Sequence, residues 1–580
     1  MEQLKRVLRL WPWLAAIVSG LLYRACFAPF QQAWLCWVAL TPLLAAVWFS
    51  GKNSERRWGR DLLLGYVAGV TFFWSVFYWL YTVTVPGLVL VGLYMGIYMA
   101  LWAWLCGVLR PGSGRALAEQ PLTGLDAVTQ RIAAKRAAAS GLPATAAPEA
   151  VAVGATLRHS PWLSSWKNLR LAFFVSAAWV TVELLRSVVF TGWAWNSLGS
   201  ALHAQWALIQ IVELTGVPAL SFLVAFTNVI LVATVRRFVL ESQVKKSRPH
   251  FDFTITMAAI VGVIGFGIRA VQLIQPSASL RVAALQPDIP REQKFNADFA
   301  AATFEKFTQL SQLALQSRPD LLLWPESSMP GPVLPGEPSY DFVMRFAAHA
   351  GADLLLGVID LDEKDAYNAA LLVSDAGKRV QLYRKMHLVP FGEYVPGRHT
   401  IPGIGAIVGA QVPEDFGIGI EHTVFQLTRP EVKVAPLICF EDTIGELTRQ
   451  FVLRGANLLA NVTNDGWFQR SAGSQQHLDN AVFRCVETRL PMVRSANTGV
   501  TCFINRFGRI TDVLHDENGS QFTEGFKVAD VAVPVNQPLT FYVRHGEWFA
   551  DLCAVATALL LVTLLPRPSR WRRAFSLIVA

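Results

Sequence analysis

Seven apolar stretches fill most of the first 274 residues, and an eighth lies near the end of the chain, at 12–28, 33–49, 62–81, 88–109, 171–189, 206–235, 253–274 and 548–565. Each is near the roughly 20 residues that a helix needs to cross a bilayer. Backbone polar groups can be satisfied inside hydrocarbon only by helices or closed barrels, so the stretches read as about eight membrane helices. The first two are short and close together, which also fits a re-entrant pair. Composition agrees: 53% of residues are hydrophobic and only 16% charged, where a soluble chain carries about a quarter. No signal-peptide cleavage pattern is clear. The first stretch reads as a retained helix behind Lys5, Arg6 and Arg9.

The charges between the stretches alternate. Lys5, Arg6 and Arg9 precede the first; Lys52, Arg56, Arg57 and Arg60 follow the second; Arg and Lys recur through 110–170; Arg236, Arg237, Lys245, Lys246 and Arg248 follow the sixth; Arg567, Arg570, Arg572 and Arg573 end the chain. The loops at 28–32, 82–87 and 190–205 carry no Lys or Arg. Every second loop is basic, the positive-inside pattern, which places both termini in the cytoplasm. The net charge of +9 is thereby explained by topology, and no nucleic-acid partner is needed. The Ala-rich text within 110–167 reads as a partly disordered or frayed-helical cytoplasmic insert.

Segment 276–544 follows an odd number of helices, so it is expected on the side opposite the cytoplasm. Its texture differs. Short apolar runs (280–286, 320–326, 352–359, 369–375, 432–441 and 456–465) alternate with helical stretches such as 298–316 and 475–490. Continuous apolar runs suit strands buried on both faces, and the alternation predicts an α/β layered domain. The expected organisation is a membrane domain over 1–275, a catalytic domain over 276–544, and a last helix with a cytoplasmic tail over 545–580.

Three candidates for chemistry sit at expected strand ends: Glu326 in LLLWPE, Lys385 in LYRKMHLVPFGEYVP, and Cys439 in VAPLICFED. In α/β folds, catalytic groups collect where strands give way to loops. Taken singly, each has a plainer reading: a buried strand thiol, a solvated carboxylate, a basic turn beside Arg384 and His387. The seven cysteines show no CxxC spacing, so neither a zinc site nor a disulfide scaffold is suggested. Cys485 and Cys502 lack the acid-flanked strand-end context and read as packing.

The combination WPES, RKMHLVPFGEYVP and LICFED, in that order, resembles the nitrilase superfamily. With about eight membrane helices around it, and with NVTNDGWF, RLPMVRSANTGVT and FTGWAWNSLG, the whole chain resembles the apolipoprotein N-acyltransferase family. That resemblance implies an α-β-β-α sandwich for the catalytic domain, on the outer face of a bacterial inner membrane. It implies Glu326 as general base, Lys385 as stabiliser of the transition state and Cys439 as nucleophile, supported by Glu393 and Glu441. It implies a phospholipid acyl donor, a diacylglyceryl apolipoprotein as acceptor, and no metal or cofactor. Phe295, Phe440 and Trp467 are the expected substrate-binding aromatics, with Phe295 and Phe440 standing where the family typically has Trp and Tyr. The residue types suit the chemistry. A thiol with a pKa near 8.5 must lose its proton before attack, a carboxylate can take it, and an ammonium favours thiolate and oxyanion.

Within the membrane half, Glu183 and Arg186 share a helix face and are expected to pair within the bundle, with Glu213 early in the next helix. Trp193, Trp195, His203 and Trp206 resemble an aromatic belt at the outer edge. Two other readings stay open: a membrane-tethered amidase of the same superfamily, and a transporter or scaffold with an inactive α/β domain. Against the latter stands the absence of an inverted-repeat or broken-helix signal.

Overall fold

The computed structural model describes residues 2–50, 57–111, 161–243, 249–272, 276–398, 400, 414–429 and 431–564. Most of the 110–167 insert and the basic tail lie outside them. The apolar stretches form helices Glu2–Ala25, Arg57–Val76, Val85–Val108, Pro161–Val188, Pro218–Gln243, Phe251–Gln272 and Trp548–Leu564. Four of these are long and apolar enough to cross a membrane. Small residues let them approach closely. A Cβ on Gly65 would sit 2.4 Å from Ala103 Cβ, and one on Gly69 would sit 2.9 Å from Gly96 Cα, so Arg57–Val76 and Val85–Val108 meet backbone to backbone.

Two stretches that hydropathy reads as single spans are broken. Segment 33–49 is a turn of 3-10 helix, Ala33–Trp37, followed by Thr41–Phe49. Asn228 fills the break: its amide accepts from Leu40 N (2.9 Å) and donates to Cys36 O (2.9 Å). The segment still traverses the bundle. The Ala28 carbonyl before it bonds to the α/β half, whereas Trp48 bonds Cys106 O beside the Asp61–Arg110 ion pair at the other end. Stretch 206–235 likewise divides into the short turns Trp206–Ile209 and Val212–Thr215 and the long helix from Pro218. Gly216, at φ +67°, ends the second turn, and Pro218 opens the helix. The expectation of unbroken helices is thus corrected. A window average cannot see a break flanked by apolar residues.

Among the described residues the α/β half contains twelve strands: β1 (Ser277–Gln286), β2 (Leu321–Trp324), β3 (Asp353–Leu361), β4 (Ala366–Ser374), β5 (Arg379–Arg384), β6 (Phe425–Gln426), β7 (Lys433–Ile438), β8 (Leu458–Thr463), β9 (Met492–Ala496), β10 (Cys502–Ile504), β11 (Ile510–Thr511) and β12 (Gly525–Pro534). They build two six-stranded sheets, ordered β12-β1-β2-β3-β4-β5 and β11-β10-β9-β8-β7-β6. The centres, β1-β2-β3 and β7-β8-β9, are parallel and buried on both faces, as their unbroken apolar text predicts. The sheets face each other, and Ser495 of β9 donates across to Leu285 O of β1 (2.7 Å). Helices Ala300–Leu315 and Pro338–Ala350 cover the first sheet, and Gly445–Leu453 and Gly473–Thr488 pack on the second. This is the expected α-β-β-α sandwich of nitrilase type.

Helix Gly473–Thr488 is buried along its whole length because the membrane half lies against its outer side. Gln476 is the centre of that contact. It accepts from Trp79 Nε1 (3.1 Å) and Asn196 Nδ2 (3.0 Å) and donates to Ala28 O (3.0 Å) and Val76 O (3.2 Å). Asn480 bonds Asn196 twice, His203 meets Asp479 at 3.3 Å, and Arg489 meets Glu213 at 2.5 Å. Trp195 is buried and stacks on Phe440 (5.8 Å), and Trp193 completes the group, 5.9 Å from Trp195 and 5.5 Å from Phe440. Trp193, Trp195 and His203 are therefore no lipid-facing belt; they plug the two halves together, and of the four only Trp206 is largely exposed. Glu183 and Arg186 do not bond each other directly. Both hold this plug: Glu183 accepts from Leu198 N (2.7 Å), and Arg186 donates to Trp195 O (3.0 Å).

Truncating Gln476 strands four buried polar partners, each costing about 1–3 kcal/mol when unsatisfied. Gln476→Ala is expected to lower the thermal transition of the detergent-solubilised protein by several degrees. An unchanged transition would show the contact to be dispensable.

Candidate active site

Strand β7 runs apolar and straight up to Ile438, and the chain then turns sharply. Cys439 adopts φ +52°, a conformation a side-chain-bearing residue takes at some energetic cost, and opens the turn Cys439–Thr443. It is a single 3-10 turn, and the helix that follows begins at Gly445. The turn is fixed from both sides. Asn461 Nδ2 donates to Cys439 O (3.0 Å). The Glu441 carboxylate, fully buried, accepts from Ile438 N (2.9 Å), Met386 N (2.8 Å), His387 N (3.1 Å) and Tyr383 Oη (2.9 Å). Glu441 thus ties the thiol-bearing turn of one sheet to the segment after β5 in the other.

That segment begins with Lys385, which is 0% exposed. Its ammonium lies 2.8 Å from Glu393. Glu393 in turn accepts from Val389 N (2.8 Å) and from Asn368 Nδ2 (2.7 Å). Asn368 shares its amide with Glu326, donating to Oε1 at 2.7 Å. The other oxygen, Glu326 Oε2, is buried and has no hydrogen-bond partner within the chain. Glu326 follows β2 through Pro325 and is pressed against β3 at Gly357, where a Cβ would come 2.5 Å from Glu326 Cα.

Electrostatics links the group. Burial raises the Cys439 thiol pKa, the Glu326 carboxylate raises it further, and Lys385 opposes both. Burial also raises Glu326, with Lys385 opposing and Glu393 reinforcing. Lys385 loses by burial but gains more from Glu393, Cys439 and Glu326, so it is held firmly charged. His387 is pulled down to about 4 by burial and by Lys385, and so is neutral at ordinary pH. The structure therefore brings Glu326, Lys385, Glu393, Cys439 and Glu441 into one cluster.

Several members escaped sequence reasoning. Asn368 bridges two carboxylates but sits mid-strand in β4 with no motif around it. Lys294, at the end of the turn Arg291–Lys294, is buried and donates to Glu326 O (2.6 Å); burial lowers its pKa to about 8, against the pull of Glu326 and Cys439. Its text, REQK, looks like a solvated turn. Beneath Cys439 lies a fully buried charge layer. Arg494 pairs with Asp442 and with Asp465 (3.3 Å), and His477 lies 2.9 Å from each of those carboxylates and 3.3 Å from Cys439 O.

The three aromatics stand apart from one another. Phe295 is 59% exposed on the rim. Phe440 is 3% exposed and packed among Trp193, Trp195 and His387, where it belongs to the interdomain plug. Trp467 is half-buried with the Arg291 guanidinium 3.6 Å above its ring, and its carbonyl accepts from Thr82 (2.9 Å) of the membrane half. Cys485 and Cys502 are buried free thiols.

Gly357→Ala must displace Glu326, and a shift near 1 Å can cost about 100-fold in rate. A loss of that order with unchanged helical circular dichroism is expected; near wild-type activity would show that the close approach is not needed. His387 does not titrate near neutrality, so His387→Gln should leave the inflections of the pH–rate profile between pH 5 and 9 in place. A shifted inflection would assign it a proton-transfer role.

Residues 281–537 match the carbon-nitrogen hydrolase family model, and residues 19–125 and 131–230 match the apolipoprotein N-acyltransferase N-terminal domain. Over 574 residues the chain is 29% identical to the apolipoprotein N-acyltransferase of Geobacter metallireducens, covering 96% of each. It is 31% identical to that of Brucella suis over 68% of this chain and 71% of the relative. A solved CN-hydrolase superfamily protein from Xanthomonas campestris aligns with 50% of this chain and 98% of its own length at 15% identity, with a TM-score of 0.35. With both halves matched, the chain belongs to the apolipoprotein N-acyltransferase family.

Proposed function

We propose that this chain moves an acyl group from a phospholipid onto Cys439 and from there onto the α-amino group of the N-terminal diacylglyceryl-cysteine of an apolipoprotein. The observation that carries the assignment is Glu326 Oε2, a buried acceptor with no hydrogen-bond partner within the chain, electrostatically coupled to a thiol held in a strained turn.

In the first half-reaction Glu326 takes the Cys439 proton as sulfur attacks the donor's ester carbonyl. The Lys385 ammonium faces the oxyanion. The C–O bond then breaks, and the Glu326 proton passes to the departing lysophospholipid oxygen, leaving a thioester. In the second, the acceptor amine attacks the thioester and loses a proton to Glu326. The C–S bond breaks, and the proton returns to sulfur. Glu393 positions Lys385, and Glu441 positions the turn. Removing a donor of the Lys385 kind typically costs about 100- to 1000-fold.

The location fits the donor. The alternating basic loops favour both termini in the cytoplasm and 276–544 on the outer face of a bacterial inner membrane. Packing of that segment against the membrane half supports a donor drawn from acyl chains of the bilayer, which a small soluble amide would not require.

The purified full-length chain, given phospholipid alone, is expected to gain one hydroxylamine-labile acyl chain on Cys439 and to release lysophospholipid. A diacylglyceryl-cysteinyl peptide with a free amine should then discharge it as an amide. Cys439→Ser should form no adduct, whereas Cys485→Ser should. Failure of the wild type to form the adduct, or turnover of soluble amides with water as the sole acceptor, would replace this reading with the amidase.

A further inference from the structure

Arg291 and Lys294 lie three residues apart on one turn, on neighbouring faces. Lys294 points inward to Glu326. Arg291 turns outward and lies flat on Trp467, with Cζ 3.6 Å from the ring centroid. Stacking of this kind fixes the plane of a guanidinium while leaving its edge N–H donors free. No hydrogen bond or ion pair of Arg291 occurs among the described residues. The neighbouring Glu292 carboxylate acts on it only through space.

The pair stands on a braced frame. Asn497 ties the two loops that carry it, donating to Ile289 O (2.9 Å) and to Asn464 Oδ1 (3.1 Å), while Asp288 N donates to Asn497 O (2.7 Å). Asn464 in turn caps the Asp465–Phe468 turn through Gly466 N (3.2 Å). The Trp467 carbonyl accepts from Thr82 at the end of the membrane half, and Phe468 packs edge-on against Trp79 (4.5 Å). A preoriented, unclaimed guanidinium therefore sits where the α/β half meets the membrane half, one helical turn from the residue that holds Glu326.

We propose that Arg291, laid on Trp467, takes the phosphodiester of the acyl donor. Guanidinium edges match phosphate oxygens two at a time, and a rigid indole platform fixes the direction of approach. Anchored there, the donor's glycerol ester would lie toward Cys439. This assignment rests on the acyltransferase reading and adds to it the group by which the donor is selected.

The test uses the full-length chain in mixed micelles and two acyl donors with the same fatty acid: a diacyl glycerophospholipid and a nitrophenyl ester, which has no phosphate and is reactive enough for any competent thiol. Adduct formation on Cys439 is followed against donor concentration. Arg291→Ala should raise the KM for phospholipid by about tenfold or more, the scale of a lost charge-assisted pair, and leave the maximal rate nearly unchanged. The nitrophenyl ester should be used equally by both proteins. Arg291→Lys, which keeps charge but loses the flat fork, should recover only part of the loss. A phospholipid KM within twofold of wild type, or an equal rise for both donors, overturns the assignment while leaving the acyltransferase intact. A wild type that takes the nitrophenyl ester but never the phospholipid sinks the donor reading itself.

Discussion

The site depends on one buried carboxylate that is not itself among the reacting groups. Glu441 lies between the two sheets and receives four donors, three backbone N–H groups and the Tyr383 hydroxyl. A buried carboxylate without partners would be prohibitive; one that accepts four donors from separate segments becomes a rigid joint. Its donors come from both sides of the site: Ile438 from the strand before the thiol, Tyr383 from β5, and Met386 and His387 from the segment after Lys385. The register of Cys439 against Lys385 is therefore set by a single side chain. The strain at Cys439 is tolerated because Glu441 and Asn461 over-determine the turn.

A second constraint comes from outside the sandwich. Nitrilase-type sheets supply a complete cluster, yet here the residue after the thiol, Phe440, is held by Trp193 and Trp195 of the membrane half. The same half reaches helix Gly473–Thr488 through Gln476, one residue before His477, which lies against the Cys439 carbonyl. The Cys439 turn and the membrane half are thus packed against each other. Glu183 and Arg186, costly inside hydrocarbon, find their use in holding the loop that carries the two tryptophans.

The sequence was legible where local pattern and tertiary role coincide. β2, β7 and β8 are read correctly from apolar runs because both of their faces are buried, and the strand-end positions of Glu326 and Cys439 follow from them. The membrane helices are found by their apolar text, but Glu2–Ala25 and Pro161–Val188 begin ten residues before the stretches that mark them, and Gly216–Pro218 and residues 38–40 break apolar text that reads as continuous. The misreadings share one cause. Trp193 and Trp195 have the composition of a lipid-facing belt, and only the docking of a second domain makes them interior. β12, GFKVADVAVP, carries exposed alternation along an edge strand and gives no continuous run. Asn368, Lys294, Arg494 and His477 are polar residues whose burial is decided by partners far away in sequence. No spacing rule announces them.

The charge layout also bears on how a thiol with a raised pKa can serve as nucleophile. Burial opposes ionisation of Cys439 and of Glu326 alike. Moving a proton from sulfur to Glu326 relocates one negative charge within the same buried space, so much of the desolvation cost is common to the two states and cancels from their difference. What remains is set by which anion the cations favour. Lys385 opposes the pKa rise of both groups, and Lys294, held at the Glu326 carbonyl, is acted on by both anions. A pocket of this kind keeps the thiol protonated at rest and leaves the proton's transfer to depend on small displacements. Such displacements arise when an ester carbonyl enters and its developing oxyanion draws on Lys385. Under the proposed mechanism, thiolate formation and carbonyl attack are coupled in one step, which limits the exposure of a free thiolate to other electrophiles during the resting state.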